Sequence, residues 1–75
     1  MRAYVLVHVR SGEEKQLTTA LRGQPGVLRA DVTFGPYDVI AEVEAADLAG
    51  VGKLVYGTIR PQIGVIDTLT CLAVE

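Results

Sequence analysis

One cysteine, one histidine, one phenylalanine and no tryptophan stand in a chain of 75 residues, and each scarcity removes a class of explanation. A single Cys71 rules out an internal disulfide, and Cys71 with His8 makes no clustered metal site of the usual ligand spacing. No cofactor is called for. A metal chaperone of small α+β type needs a Cys-x-x-Cys loop after its first strand, and here that loop reads Val9-Arg10-Ser11-Gly12. Basic excess is missing too. Nine Asp and Glu outweigh seven Lys and Arg, for a pI of about 5.2. Proteins that grip phosphate backbones usually carry a basic stripe, so direct nucleic-acid binding is not expected. An RNA-binding sheet also needs aromatic stacking positions, which the middle strands lack. No apolar run approaches the roughly 20 residues of a membrane span. Arg2-Ala3-Tyr4 leads straight into alternating valines with no signal peptide before it, and the unpaired cysteine suits a reducing interior. The chain is expected to be cytoplasmic.

What is present is apolar. Hydrophobic residues make up 49% of a single small domain, 1–75, which has little interior in which to hide them. A domain of this length buries only roughly 60% of the surface its unfolded chain exposes. With disulfides and metals excluded, self-association is the remaining route to stability.

Ala3 to Val9 reads as a strand, with Ala3, Val5, Val7 and Val9 on one face and Tyr4, Leu6 and His8 on the other. Ser11-Gly12-Glu13-Glu14 opens a helix, with Ser11 as cap and both glutamates on the positive end of its dipole. Leu17, Ala20 and Leu21 give that helix an apolar stripe, and Gly23-Gln24-Pro25-Gly26 ends it. Val27 to Thr33 is a second strand, with Leu28, Ala30 and Val32 facing one way. Asp38 to Glu44 is a third, joined to it as an antiparallel hairpin through Phe34-Gly35-Pro36-Tyr37. Asp47 caps a second helix carrying Leu48, Val51, Leu54 and Val55 inward, weakened by Gly50 and Gly52. Gly64 to Val74 is the last strand.

An internal echo accompanies this βαββαβ order. Arg22-x-Gln24-x-Gly26-Val27 matches Arg60-x-Gln62-x-Gly64-Val65, each at an exit from helix to strand. Two βαβ halves make a ferredoxin-like α+β fold: a four-stranded antiparallel sheet with both helices on one face, of the kind that pairs into dimeric α+β barrels. Its other face is then bare. Tyr4, Leu6, His8 and Ile40, with part of Ile66, Thr68, Thr70 and Leu72, are expected there as a homodimer interface.

Polar chemistry concentrates at the hairpin. A carboxylate at the mouth of a tight turn costs folding energy unless it has a partner, so Asp38 either holds an amino group or caps backbone amides. Gly35 serves the turn by accepting positive φ, and its bare N–H is open to a carboxylate. Tyr37 is either a rim residue or a ligand contact. Thr68 and Thr70 share one side of the last strand, through β propensity or to offer hydroxyls. His8 reads as an interface histidine and Cys71 as a small buried residue.

Ala3-Tyr4-Val5-Leu6-Val7, the Leu21-to-Pro25-Gly26-Val27 helix exit, Gly35-x-Tyr37-Asp38 and Thr68-Leu69-Thr70 together resemble the ligand-sensing (RAM) domain of the Lrp/AsnC transcription regulators, over nearly the whole chain. The resemblance implies a βαββαβ module that dimerises through its sheets, assembles dimers into octamer-like rings and binds amino acids between dimers. It implies ligand contacts at Gly35, Tyr37, Asp38, Thr68 and Thr70, with Asp38 on the effector's α-amino group. Two departures stand out. The helix-turn-helix of full-length members is absent, so the chain looks like a stand-alone form, acting on transcription through a full-length regulator or sensing metabolites alone. Phe34 replaces a small polar residue and reshapes the pocket. The alternatives are a dimeric α+β barrel enzyme, an isomerase or cofactor-free monooxygenase with His8 as general base beneath the helices, and a pure protein-interaction module.

Overall fold

The computed structural model describes residues 1–75 as four strands and two helical segments in the order βαββαβ. β1 runs Arg2–Val9, α1 Glu14–Arg22, β2 Val27–Val32, β3 Val39–Glu44, α2 Leu48–Lys53 and β4 Val65–Leu72. The strands form one antiparallel sheet in the order β2-β3-β1-β4, which is the ferredoxin-like arrangement. Strict alternation in β1 and β3 decides which face is covered. Ala3, Val5, Val7 and Val9 are buried, as are Val39, Ala41 and Val43 opposite them. Leu17 and Leu21 from α1 and Val51, Val55 and Ile59 from the second helical segment complete this core. Tyr4, Leu6, His8 and Ile40 lie on the opposite, uncovered face.

Asp47 caps α2 as its sequence position requires, its Oδ1 accepting the Gly50 N–H at 2.8 Å. Ser11 does not cap α1. The chain turns through Gly12 at φ +93°, Glu13 takes the boundary position without a side-chain bond, and the Gly12 N–H donates to Glu14 Oε1 at 2.9 Å. After Lys53 the helix widens into a π turn over Leu54–Ile59, closed by the Arg60 N–H on the Val55 carbonyl at 2.8 Å.

Two bulges correct the expected strand faces. β2 carries one at Leu28, between Val27, opposite Val43, and Arg29, opposite Glu42. The extra residue turns Leu28 outward, 50% exposed, and leaves Val27 and Ala30 toward the core. Val32 shares the core parity but lies half exposed at the strand's end, so Leu28, Ala30 and Val32 do not act as one buried face. β4 carries the second bulge at Ile66. Asp67, Leu69 and Cys71 therefore sit opposite His8, Leu6 and Tyr4 on the open face, while Thr68, Thr70 and Leu72 sit opposite Val7, Val5 and Ala3 on the helix side. The open-face set expected on β4 is inverted, and Cys71 is exposed rather than buried.

Candidate functional site

The hairpin between β2 and β3 is held by backbone and side-chain bonds together. Thr33 donates its N–H to the Asp38 carbonyl at 2.9 Å and its hydroxyl to the Tyr37 carbonyl at 2.8 Å. The Asp38 N–H reaches the Val7 carbonyl at 3.0 Å, and Asp38 Oδ2 accepts the Val9 N–H at 2.8 Å. The carboxylate thus adds a last rung where the β1–β3 ladder ends, with Oδ1 left over. Amide capping, one of the two roles open to Asp38, is real.

His8 links this loop to the far edge of the sheet. Its Nδ1 lies 2.6 Å from Asp67 Oδ1 on β4 and its Nε2 2.9 Å from the Pro36 carbonyl. The ring stacks on Tyr37 at 4.3 Å between centroids and 11° between planes. Both ring nitrogens face acceptors, which only the doubly protonated imidazolium satisfies. Its pKa is accordingly raised above 6.5, first by the hydrogen bond to Asp67, then by the Pro36 carbonyl, with Asp38 adding attraction. His8 faces away from the helices, so the general base beneath the helices that the enzyme alternative needs is not where His8 is.

Gly35 does not adopt a left-handed backbone, and a Cβ there would meet nothing within 4 Å. Neither the turn nor the packing of one chain requires this glycine, which corrects the conformational reason expected for it. Phe34 stands fully out at the tip. Loop and open sheet together enclose a concavity of about 310 Å³ that includes Leu6, Gly35, Tyr37 and Ile40. Thr68 and Thr70 lie elsewhere, in a cleft of about 400 Å³ on the helix side between the second helical segment and β4. Val51, Val55, Tyr56, Arg60 and Leu72 share its lining. In one chain, then, the five expected ligand residues form two groups on opposite faces of the sheet: Gly35, Tyr37 and Asp38 together, Thr68 and Thr70 apart. Asp67 and Arg60 were not singled out from the sequence. Alternation alone gives no sign of Asp67, but the Arg22/Arg60 echo did hold a signal for Arg60.

The open face has an apolar middle of Leu6, Ile40 and Leu69, with Tyr4 beside it. Arg2 bridges to Glu42 at 2.8 Å and donates to the Tyr4 hydroxyl at 2.9 Å on its flank. No group of three or more His, Cys, Asp or Glu side chains is placed to hold a metal ion. No helix is long and apolar enough to cross a membrane.

A protein-family model described as the Lrp/AsnC ligand binding domain matches residues 2–75. Among solved structures, a protein from Thermus thermophilus is 31% identical, with a TM-score of 0.92 over 99% of this chain and 92% of its own. A hypothetical protein from Pyrococcus horikoshii is 28% identical, with a TM-score of 0.90 over 99% and 89% respectively. A transcriptional regulator from Neisseria meningitidis, solved with L-Met, shares the fold at 20% identity and a TM-score of 0.84; 99% of this chain matches 49% of that one. No curated protein matches the sequence. With the family model spanning all but the first residue, the chain belongs to the Lrp/AsnC family and is built as its ligand-binding domain.

Proposed function

We propose that this domain senses a small amino acid at interfaces between its own copies and passes the signal on as a change of assembly, without binding DNA itself. The observation that carries the reading is the family's ligand-binding domain spanning residues 2–75. The relative solved with L-Met supports amino acids as the class. The split of the candidate residues agrees: two groups on opposite faces of one sheet come together only between chains. Copies pair through the open face, with Tyr4, Leu6, His8 and Ile40 at its centre, and pairs associate further in a ring. Asp38 Oδ1 takes the ammonium group while Oδ2 stays on Val9. Thr68, Thr70 and the bare Gly35 amide take the carboxylate, with Tyr37 against the effector. The mechanism is linkage: an effector bound between chains favours the assembly that presents its site, by its difference in affinity for the two. Full-length regulators of the family are the natural hetero-partners.

Calorimetric titration with the common amino acids, run on wild type and Asp38→Asn, tests the reading. Asparagine keeps an oxygen for Val9 and loses the charge. One chemical class of amino acid is expected to bind, and the substitution to weaken it roughly tenfold or more, the scale of a charge-assisted hydrogen bond. Absence of heat with every amino acid, or equal affinity in the variant, contradicts it.

A further inference from the structure

The echo between the two halves of the chain extends into three dimensions. Gly26 and Gly64 both take positive φ, +87° and +94°. The Gln24 and Gln62 N–H groups bond back to Leu21 and Ile59, and Val27 and Val65 donate to the two glutamine carbonyls. Leu28 and Ile66 are the two bulges. Continuing the same register, Ala30 corresponds to Thr68, Asp31 to Leu69 and Arg22 to Arg60.

The two arginines have different fates. Arg22 lies against β2, donating Nε to the Ala30 carbonyl at 2.9 Å with Nη2 3.7 Å from Asp31. Arg60 leaves its helix at the equivalent place beside β4, where Leu69 stands in the carboxylate's position. Arg2, Arg10, Arg22 and Arg29 all pair with carboxylates; Arg60 pairs with none. It rests on the Tyr56 ring, 4.9 Å from the centroid, which orients the guanidinium without neutralising it. Across the cleft the Thr68 and Thr70 hydroxyls have no protein partner either. A guanidinium and two hydroxyls therefore line opposite sides of one largely apolar cleft of about 400 Å³, which Val51, Val55 and Leu72 also line. That volume suits a small molecule.

We infer that Arg60 holds the carboxylate of the effector, together with Thr68 and Thr70, and that the effector's side chain is apolar and lies along Val51, Val55 and Leu72. The inference rests on the reading above for the ligand's amino group. Its carboxylate end is independent of Asp38, which sits across the sheet. A planar guanidinium binds a carboxylate bidentately, which a lysine does not.

Titration calorimetry with L-leucine, with 4-methylpentanoate (leucine without its amine) and with 3-methylbutylamine (leucine without its carboxylate) tests this on wild type, Arg60→Gln, Arg60→Lys and Asp38→Asn. The two carboxylates are expected to bind wild type and the amine to fail. Arg60→Gln should weaken both carboxylates by roughly ten- to a hundredfold, with Arg60→Lys intermediate. Asp38→Asn should weaken leucine and leave 4-methylpentanoate unchanged. Loss of leucine in Asp38→Asn with full affinity in Arg60→Gln overturns the inference and spares the amino-acid reading. Binding of 4-methylpentanoate but of no amino acid does the reverse. Failure of both carboxylates to bind wild type at millimolar concentration also overturns it. So does an Arg60→Gln variant with altered self-association and unaltered carboxylate affinity, since Arg60 then serves a neighbouring copy.

Discussion

His8 is the residue whose charge state carries most structure. As an imidazolium it donates to Asp67 on β4 and to Pro36 in the hairpin, so it ties the sheet edge to the loop bearing Tyr37 and Asp38. Its folded pKa is raised above 6.5, so its contribution is complete below the unfolded pKa and lost as pH rises through the folded one. Stability should therefore fall between about pH 6 and the alkaline side of that raised value. Urea denaturation of wild type and His8→Gln across pH 5.5–9 checks this: wild type should lose its advantage over the variant as pH rises. A constant difference across that range contradicts the assignment. Cys71 shows why single residues resist reading from sequence. Its type suggests burial, yet its register opposite Tyr4 puts it on the uncovered face.

Among elements, β1, β3 and the Asp47 cap were legible because alternation and cap chemistry are local. The β2–β3 hairpin and the ferredoxin-like order followed from turn residues. The faces of β2 and β4 did not follow, because one inserted residue at Leu28 or Ile66 reverses the parity of everything after it. With Val65 and Leu72 on one side of β4 and Leu69 and Cys71 on the other, no continuous polar stripe marked the reversal. The π turn at Leu54–Ile59 was invisible to a search for a 3.6-residue period. The two halves of the candidate site were named in sequence, but their separation by the sheet depends on the β4 bulge. Gly26 offers the sharpest test at this scale. Its φ is +87°, and a Cβ would stand 2.9 Å from Leu54 Cδ1 and 3.2 Å from the Glu44 carbonyl. Gly26→Ala should cost about 1–3 kcal/mol in chemical denaturation, from backbone strain and the crowded Leu54. A change under about 0.5 kcal/mol, ordinary for surface positions, contradicts the turn geometry.

For the whole molecule the governing fact is an apolar sheet face with no cover from its own chain. Tyr4 and Leu69 are 38% and 50% exposed there, beside Leu6 and Ile40. At roughly 25 cal/mol per Å² of apolar surface removed from water, pairing two such faces is a large gain for a domain this small. The sites proposed at Asp38 and Arg60 acquire their regulatory meaning only if chains meet.

Sedimentation velocity, run from submicromolar to tens of micromolar protein with and without an amino-acid mixture, tests that claim most directly. The account predicts dimers or larger at the lowest concentrations, and a shift between assemblies when the effector is added. A monomer throughout, unmoved by any amino acid, contradicts it.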